Sequence, residues 1–367
     1  MIMNVTKSME TCKRGSFSEF VDRFIDECRC GRLGLKSKRP YAQNTIEVFR
    51  EARRALVEFG QARSMVVNFD DVTPAFFDDM ARYFLIERAA PRQVMKRNSV
   101  HRIIAILKTM MRVARRECLH DNTAFERDKY SITREEVDHV YLTCEQVDEL
   151  YGLDFDDHET LCRLVGRIAD PRERAHMARL VDSRHRREIC RRYAMYRDEF
   201  VAGCLTGQRW SDYSRIDYSM VCQMEGYKFV CLTQVKTKKK VYIPMEQRLE
   251  DIMARNGGRV PRTCDYRLNA RIKEIGLLLG WTHSAGLHGG RDSSCMLSGK
   301  RFCDCLSTHT ARRTWATNAY KAHVPLSSIM AVTGHSSEAM LRKYLKLNEV
   351  EMGVCAARDL QKVMHLA

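Results

Sequence analysis

Apolar residues recur at helical spacing through the first third of the chain, between residues that start and stop helices. Ser16, with Glu19 three positions on, forms a capping box ahead of Phe20, Val21, Phe24 and Ile25 and predicts a first helix. A turn-rich stretch, residues 31–40, separates it from a second helix over 45–59 with Val48, Phe49, Leu56 and Phe59 as its stripe. Thr73-Pro74 opens a third, carrying Phe76, Phe77, Met80, Phe84 and Leu85. A fourth, over 99–118, sets Ile103, Ile104, Leu107, Met110, Met111 and Ala114 on one side. These four amphipathic segments predict a helical bundle over 16–120 behind a polar tail, 1–15.

The pattern then weakens. Residues 121–140 are polar, charged and poorly periodic, as expected of a linker. A second domain, 141–349, opens where Thr143 caps a helix carrying Val147 and Leu150. Asp170-Pro171-Arg172-Glu173 starts another, and the helical pattern continues to Leu205. Over 228–244 the period changes to that of strands: Phe229-Val-Cys-Leu, a basic turn at 237–240, then Val241-Tyr-Ile, a β-hairpin. Helices are expected again at 268–279, 310–322, 326–333 and 338–345. A last one, 350–364, has Val354, Leu360, Val363 and Met364 on a face that nothing nearby in the sequence covers. The fold class is therefore mainly α with a small antiparallel β-sheet or hairpin. No internal repeat is evident, no run of about 18 apolar residues occurs, and residues 1–13 lack the apolar core of a secretory signal.

Charge sharpens the picture. The 367 residues carry 62 Lys and Arg against 47 Asp and Glu, a net +15, which favours a polyanionic partner. Three segments account for all of it: residues 94–118 contribute +6, 163–197 contribute +7 and 228–240 contribute +5, leaving −3 for the rest. On the fourth helix, Lys96, Arg97, Arg102, Lys108, Arg112 and Arg115 are the candidate DNA-binding residues, joined by Lys238, Lys239 and Lys240 at the hairpin. The arginine-rich 166–192 stretch is either a solvated excursion or a further DNA or partner contact. The 15 cysteines are thinly spread and odd in number, which suits small buried apolar residues in a reducing compartment better than disulfides. A metal site from Cys295, Cys303, Cys305 and His309 is conceivable, but the C-x-C spacing is not that of a zinc ribbon.

Three short motifs follow in order: Thr206-Gly207-Gln208-Arg209-Trp210-Ser211-Asp212, then His309-Thr310-Ala311-Arg312, then Gly334-His335 with Tyr344 nine residues on. The hairpin, with Lys236 eight residues before Pro244, lies between the first two. Each motif alone is weak. Their order, Arg, Lys, H-x-x-R, G-H, Tyr, resembles the tyrosine recombinases (the λ-integrase family), and the Thr-Gly-x-Arg and Gly-His-Ser-Ser segments are similar to integrases of bacterial mobile elements.

That resemblance implies a SAM-like core-binding bundle followed by a mixed α/β catalytic domain. It implies Arg209 and Arg312 as a clamp on the scissile phosphate, suited to it because guanidinium binds phosphate bidentately. Tyr344 becomes the nucleophile and Lys236 the general acid, with Lys238, Lys239 and Lys240 as rivals. His309 and His335 become phosphate donors or helpers in deprotonating Tyr344, and Asp212 a support for the Arg209 region. It further implies a 3′-phosphotyrosine intermediate with no cofactor, ATP or metal. The partners would be double-stranded DNA and other copies of the chain in a tetrameric synapse, with an accessory directionality or DNA-bending protein allowed and no membrane. The terminal helix would dock on a neighbouring protomer, and the compartment would be a bacterial cytoplasm, at the nucleoid. Two departures stand out: Arg313 where the family usually has His, and the lengthened approach to Thr-Gly-x-Arg. The short segment ahead of the first helix predicts a core-site-only enzyme. A type IB topoisomerase-like enzyme and a silent DNA-binding regulator of the same fold are the alternatives.

Overall fold

A computed structural model describes residues 15–33, 40–89, 92–127, 132, 139–168, 170–285, 299–345 and 349–364. The chain divides into two compact units, Met1–Glu136 and Val137–Ala367.

In the first unit, α1 (Phe17–Arg29) starts at the capping box: the Glu19 amide donates to Ser16 Oγ at 3.1 Å and the Ser16 amide to Glu19 Oε2 at 2.9 Å. Helices α2 (Gln43–Ala62), α3 (Pro74–Arg82) and α4 (Arg97–Arg116) follow, α3 capped by Thr73 and continued by a single π-turn, Tyr83–Glu87. Their apolar stripes meet in a core rich in phenylalanine, where Phe24 meets Phe49 and Phe59 meets Phe76 edge-on at 5.4 and 5.3 Å. Each such ring contributes roughly 1.5–3 kcal/mol by leaving water.

One residue of the expected basic face is elsewhere. Lys108 is buried in the bundle, with its ammonium 5.3 Å from the centre of the Phe77 ring. It lies four residues after Ile104 and three before Met111, inside the apolar arc of a 3.6-residue helix, and its aliphatic stem packs there.

In the second unit, α5 (Cys144–Tyr151) begins with a Thr143–Gln146 capping box, and α6 (His158–Gly166) follows. The single helical run expected from Asp170 to Leu205 is two helices, α7 (Pro171–Val181) and α8 (Arg186–Thr206), broken where Ser183 Oγ caps the chain by accepting the His185 amide. A short α9 (Trp210–Tyr213) leads into an antiparallel sheet of order β1 (Val221–Met224), β2 (Tyr227–Thr233), β3 (Lys240–Pro244), with Val230 opposite both Val221 and Ile243. Then come α10 (Gln247–Arg255), α11 (Asp265–Leu278), α12 (Thr308–Lys321), α13 (Leu326–Thr333), α14 (Glu338–Arg342) and α15 (Glu349–Met364).

The C-terminal half of α8 is the buried axis of this unit. Its acids are satisfied from three directions: Glu199 accepts from Trp210 and Thr263, and Asp198 from Arg255 and Asn256. Helix α12 crosses α8 at Gly203, where a Cβ would come within 2.7 Å of Tyr213 and 2.9 Å of Ala311. That close crossing brings the ends of α8 and α12 together.

The cysteines depart from expectation. Of the twelve whose side chains are described, all free, Cys28, Cys190, Cys204 and Cys303 are buried, but five are exposed and three half-buried. Five of them therefore lie on helix or loop surfaces, where nothing in the fold takes advantage of their apolarity. Cys295 lies outside the described residues, and among these no group of three His, Cys, Asp or Glu is placed to hold a metal ion. No described helix is long and apolar enough to cross a membrane.

Candidate active site

The three motifs converge on one buried guanidinium. Arg312, on the inner face of α12, is fully buried. Its Nη1 donates to Gly207 O at 3.0 Å and its Nη2 to Thr333 O at 2.8 Å, which ties the first motif to the third. Gly207 ends α8 in the left-handed conformation at φ 65°, with Trp315 where a Cβ would be, so only glycine fits. Gly334, at φ 73°, leaves room for Gln234, which a Cβ would meet at 2.3 Å.

Two buried glutamines complete the frame. Gln234 donates to Gln208 Oε1 at 2.7 Å and to Thr333 O at 2.9 Å, while Gln208 donates to Val332 O at 2.7 Å. Asp212, fully buried, accepts the Val235 amide at 2.7 Å. It therefore holds the base of the β2–β3 turn next to Lys236, a different task from the support of Arg209 expected for it.

Arg209 precedes α9 and is half-buried. Its Nη1 and the Nε of Arg312 are buried N–H donors with no acceptor. Neither arginine has a carboxylate partner among the described residues. Burial, and then the charge of Arg209, push the Arg312 pKa down to about 10. Unpaired cations whose buried donors stand idle are costly unless an anion completes them.

His335 is buried beside Arg312, with Nε2 3.1 Å from Nη2 and Nδ1 2.7 Å from Thr333 Oγ1. Arginine only donates, so Nε2 accepts, and Nδ1–H donates to a Thr333 hydroxyl that itself donates to Ile329 O at 2.6 Å. Both ring nitrogens are thus engaged, Nε2 holding Arg312 and Nδ1 fixing the ring on Thr333. Burial and then the charges of Arg312, Arg209 and Lys239 lower the His335 pKa to about 4.

The folded form thus stays neutral where the unfolded chain, near 6.5, takes a proton. His335 stability is complete above about pH 6.5 and is lost as pH falls toward 4, by about 3 kcal/mol. Trp210, Trp281 and Trp315 all lie in the second unit, so urea unfolding followed by tryptophan fluorescence reads it directly. His335→Gln should flatten that acid limb, and an unchanged limb would show that other groups cause it.

Tyr344 follows α14, half-buried, its ring 4.9 Å from that of His335. The guanidinium carbons of Arg312 and Arg313 lie 5.6 and 5.8 Å from its centre. His309, one turn before Arg312 and Arg313 on α12, is exposed. The protein around it, then the charges of Arg313, Arg312, Arg209 and Lys236, hold its pKa below the ordinary histidine value. Lys236 is exposed in the turn, while Lys239 reaches the His335 carbonyl at 3.4 Å. The structure therefore brings Arg209, Arg312, His309, His335 and Tyr344 together and leaves Lys236 at the rim. Gln234 lies outside the motifs altogether, while Gln208 and Arg313 stand in or beside them with no task that the motifs themselves indicate.

The nucleic-acid candidates divide. Lys96 and Lys238 are exposed, and Lys240 rests on its own strand neighbour Tyr242 at 5.4 Å. Arg97 is half-buried. Arg102 pairs with Glu51, and Arg112 and Arg115 share Glu126, so neighbouring elements supply acids that the helix itself lacks. Lys108 is removed from the set by burial. Lys108→Leu should leave the salt slope of DNA binding, read by fluorescence anisotropy, unchanged, whereas a slope lowered by about one would restore it as a phosphate contact. In the arginine-rich stretch, Arg163, Arg167, Arg172, Arg174, Arg184, Arg187 and Arg191 are exposed without an ion-pair partner among the described residues.

Two family models match the chain: the phage integrase SAM-like domain over residues 16–132 and the phage integrase family over 190–351. The second match begins after most of the arginine-rich stretch. No curated protein sequence matches. Among solved structures, a lambda integrase dimer bound to a COC′ core site superposes with TM-score 0.58 at 16% identity, covering 94% of this chain and 81% of that one. The Tn1549 transposon integrase in complex with circular intermediate DNA gives TM-score 0.58 at 13% identity, covering 90% and 95%. At these identities the superpositions carry the fold, and the two sequence models carry the kinship. The chain belongs to the phage integrase family of tyrosine recombinases.

Proposed function

We propose that the chain is a site-specific DNA recombinase, of the integrase kind that serves a mobile element, which cuts and rejoins duplex DNA through a 3′-phosphotyrosine link. The observation that carries this reading is the pair of buried, acceptor-less donors on Arg209 and Arg312, the latter beside the Tyr344 ring. A phosphodiester supplies the missing acceptors: its non-bridging oxygens gain charge as the trigonal-bipyramidal state forms, and the two guanidiniums stabilise that charge. Tyr344 Oη attacks phosphorus, the bond to the 5′-oxygen breaks, and Lys236 at the turn delivers the proton that the leaving oxygen needs. Resealing runs the same steps backwards, so the bond energy is conserved. His309 donates to the phosphate, and His335, with both nitrogens occupied, fixes Arg312.

The division of labour proposed is a core-binding bundle over 16–120, a linker over 121–140 and a catalytic domain over 141–349. Lambda integrase has been seen as a dimer on a core site and as a tetramer on a Holliday junction. We carry both DNA and self-association over to this chain, as a bacterial cytoplasmic protein. Glu351 anchors the start of α15 through Tyr141 at 2.7 Å and Lys321 at 3.0 Å, while Met352, Val354 and Leu360 stay exposed for a neighbouring protomer.

A nicked suicide substrate tests the function. A covalent adduct on the peptide containing Tyr344, followed by strand exchange between duplexes, is the expected result. Relaxation of supercoils without exchange would indicate a type IB topoisomerase instead.

A further inference from the structure

Arg313 has no assigned task in the reaction just described, yet its surroundings are unusual. Protein encloses most of its side chain, and burial pushes its pKa down to about 10, which still leaves it charged at neutral pH. No carboxylate or hydrogen-bond acceptor meets its guanidinium among the described residues. Other partly enclosed arginines of this chain are paired: Arg88 with Glu58, Arg255 with Asp198, Arg271 with Glu274. What Arg313 faces is the ring of Tyr344, at 5.8 Å.

The groups seen against that ring are Arg312 and Arg313 from α12 and His335 after α13; His309 lies one turn earlier on α12, and Arg342 and Lys343, both exposed, precede Tyr344 in the chain. Glu338 is committed to Arg342.

We propose that Arg313 acts through Tyr344, its positive charge favouring the phenolate at both points of the cycle where the tyrosine oxygen is negative: as it attacks phosphorus and as it is expelled on resealing. In the forward step the phenolic proton passes to water, the oxygen–phosphorus bond forms, and the 5′-oxygen leaves with a proton from Lys236. Arg312 remains engaged with Gly207 O, Thr333 O and His335 and serves the phosphate, so the second guanidinium is free for the nucleophile. The proposal rests on Tyr344 being that nucleophile.

Two variants of the full chain test it, Arg313→Gln, which keeps size and removes charge, and Arg313→Lys, which keeps charge. Nitration by tetranitromethane at pH 8 without DNA consumes phenolate, and mass spectrometry follows the peptide holding Tyr344. The expected result is nitration about fivefold slower in Arg313→Gln and near the parent rate in Arg313→Lys. With a suicide substrate, adduct formation should fall about 10–100-fold in Arg313→Gln, its pH profile should move to higher pH, and Arg313→Lys should restore most of both. A 5′-bridging phosphorothiolate, whose thiolate leaves without a proton, should rescue Lys236→Ala but not Arg313→Gln.

Unchanged nitration together with an unchanged pH profile would overturn the proposal and make Arg313 a packing residue. So would weaker DNA binding with unchanged nitration, the signature of a simple phosphate contact. If the parent forms no adduct, the reading of Tyr344 as nucleophile fails, while the nitration comparison still decides whether Arg313 governs its phenolate.

Discussion

Tyr344→Phe should form no covalent protein–DNA adduct while binding DNA as the parent does. Removing a nucleophile costs about 10⁴-fold or more in rate, because the remaining groups can stabilise a transition state that no oxygen is present to reach. The same change should leave folding nearly untouched. The Tyr344 hydroxyl makes no hydrogen bond among the described residues, and what the side chain contributes is its ring, tilted against His335 and facing the two guanidiniums. Phenylalanine preserves that ring, so the unfolding midpoint read by tryptophan fluorescence should move by less than about 0.5 kcal/mol. A catalytic loss with stability and affinity intact separates chemistry from scaffolding. An adduct that persists in Tyr344→Phe would place the nucleophile elsewhere, and a parent that forms none would favour the silent regulator.

Much of this site was legible in the sequence because its determinants are local. The capping residues Ser16, Thr73, Thr143 and Asp170 each act within three positions along the chain, and each cap is found where its spacing predicts. The order of Arg209, His309, Arg312, His335 and Tyr344 is likewise a property of the chain. What escaped depends on distant partners. Gln234 reads as an ordinary strand-end residue, yet its amide joins Gln208 26 positions back and Thr333 99 positions ahead. Asp212 was assigned to support Arg209 because nothing in the sequence says that the Val235 amide comes to meet its carboxylate.

Lys108 shows the opposite error. Counting charges along residues 94–118 treats every base as outward-facing, whereas the helical period, applied to Lys108 as it was to Leu107 and Met111, places it on the core side. The acids on Glu51 and Glu126 belong to other elements, so no local count could show that half of the basic face is neutralised. Helix α10 was overlooked although Leu249, Ile252 and Met253 have helical spacing, since nine residues offer barely two turns of signal.

Arg312 brings folding and function into opposition, and its replacement should separate them. The fold holds this side chain as a cation out of water and beside Arg209, which is why its pKa falls to about 10 from 12.5. The charge is present in both folded and unfolded chains at pH 7, so the cost of about 3 kcal/mol applies there in full and eases only as pH rises through 10. Against it stand the hydrogen bonds to Gly207 O and Thr333 O, whose carbonyls lose about 1–3 kcal/mol each if left unpaired. These terms nearly cancel. Arg312→Met, neutral and of similar length, should therefore change the stability of the second unit by less than about 2 kcal/mol in urea unfolding. Cleavage should nevertheless fall by about 10²–10³-fold or more, because the donors aimed at the phosphate are gone. Inorganic vanadate, a trigonal-bipyramidal phosphate mimic, should raise the unfolding midpoint of the parent and not of the variant, since a ligand stabilises only the state that binds it. Collapse of the fold in Arg312→Met would assign the residue to architecture first. Equal stabilisation of both proteins by vanadate would place the anion somewhere other than this pair of arginines.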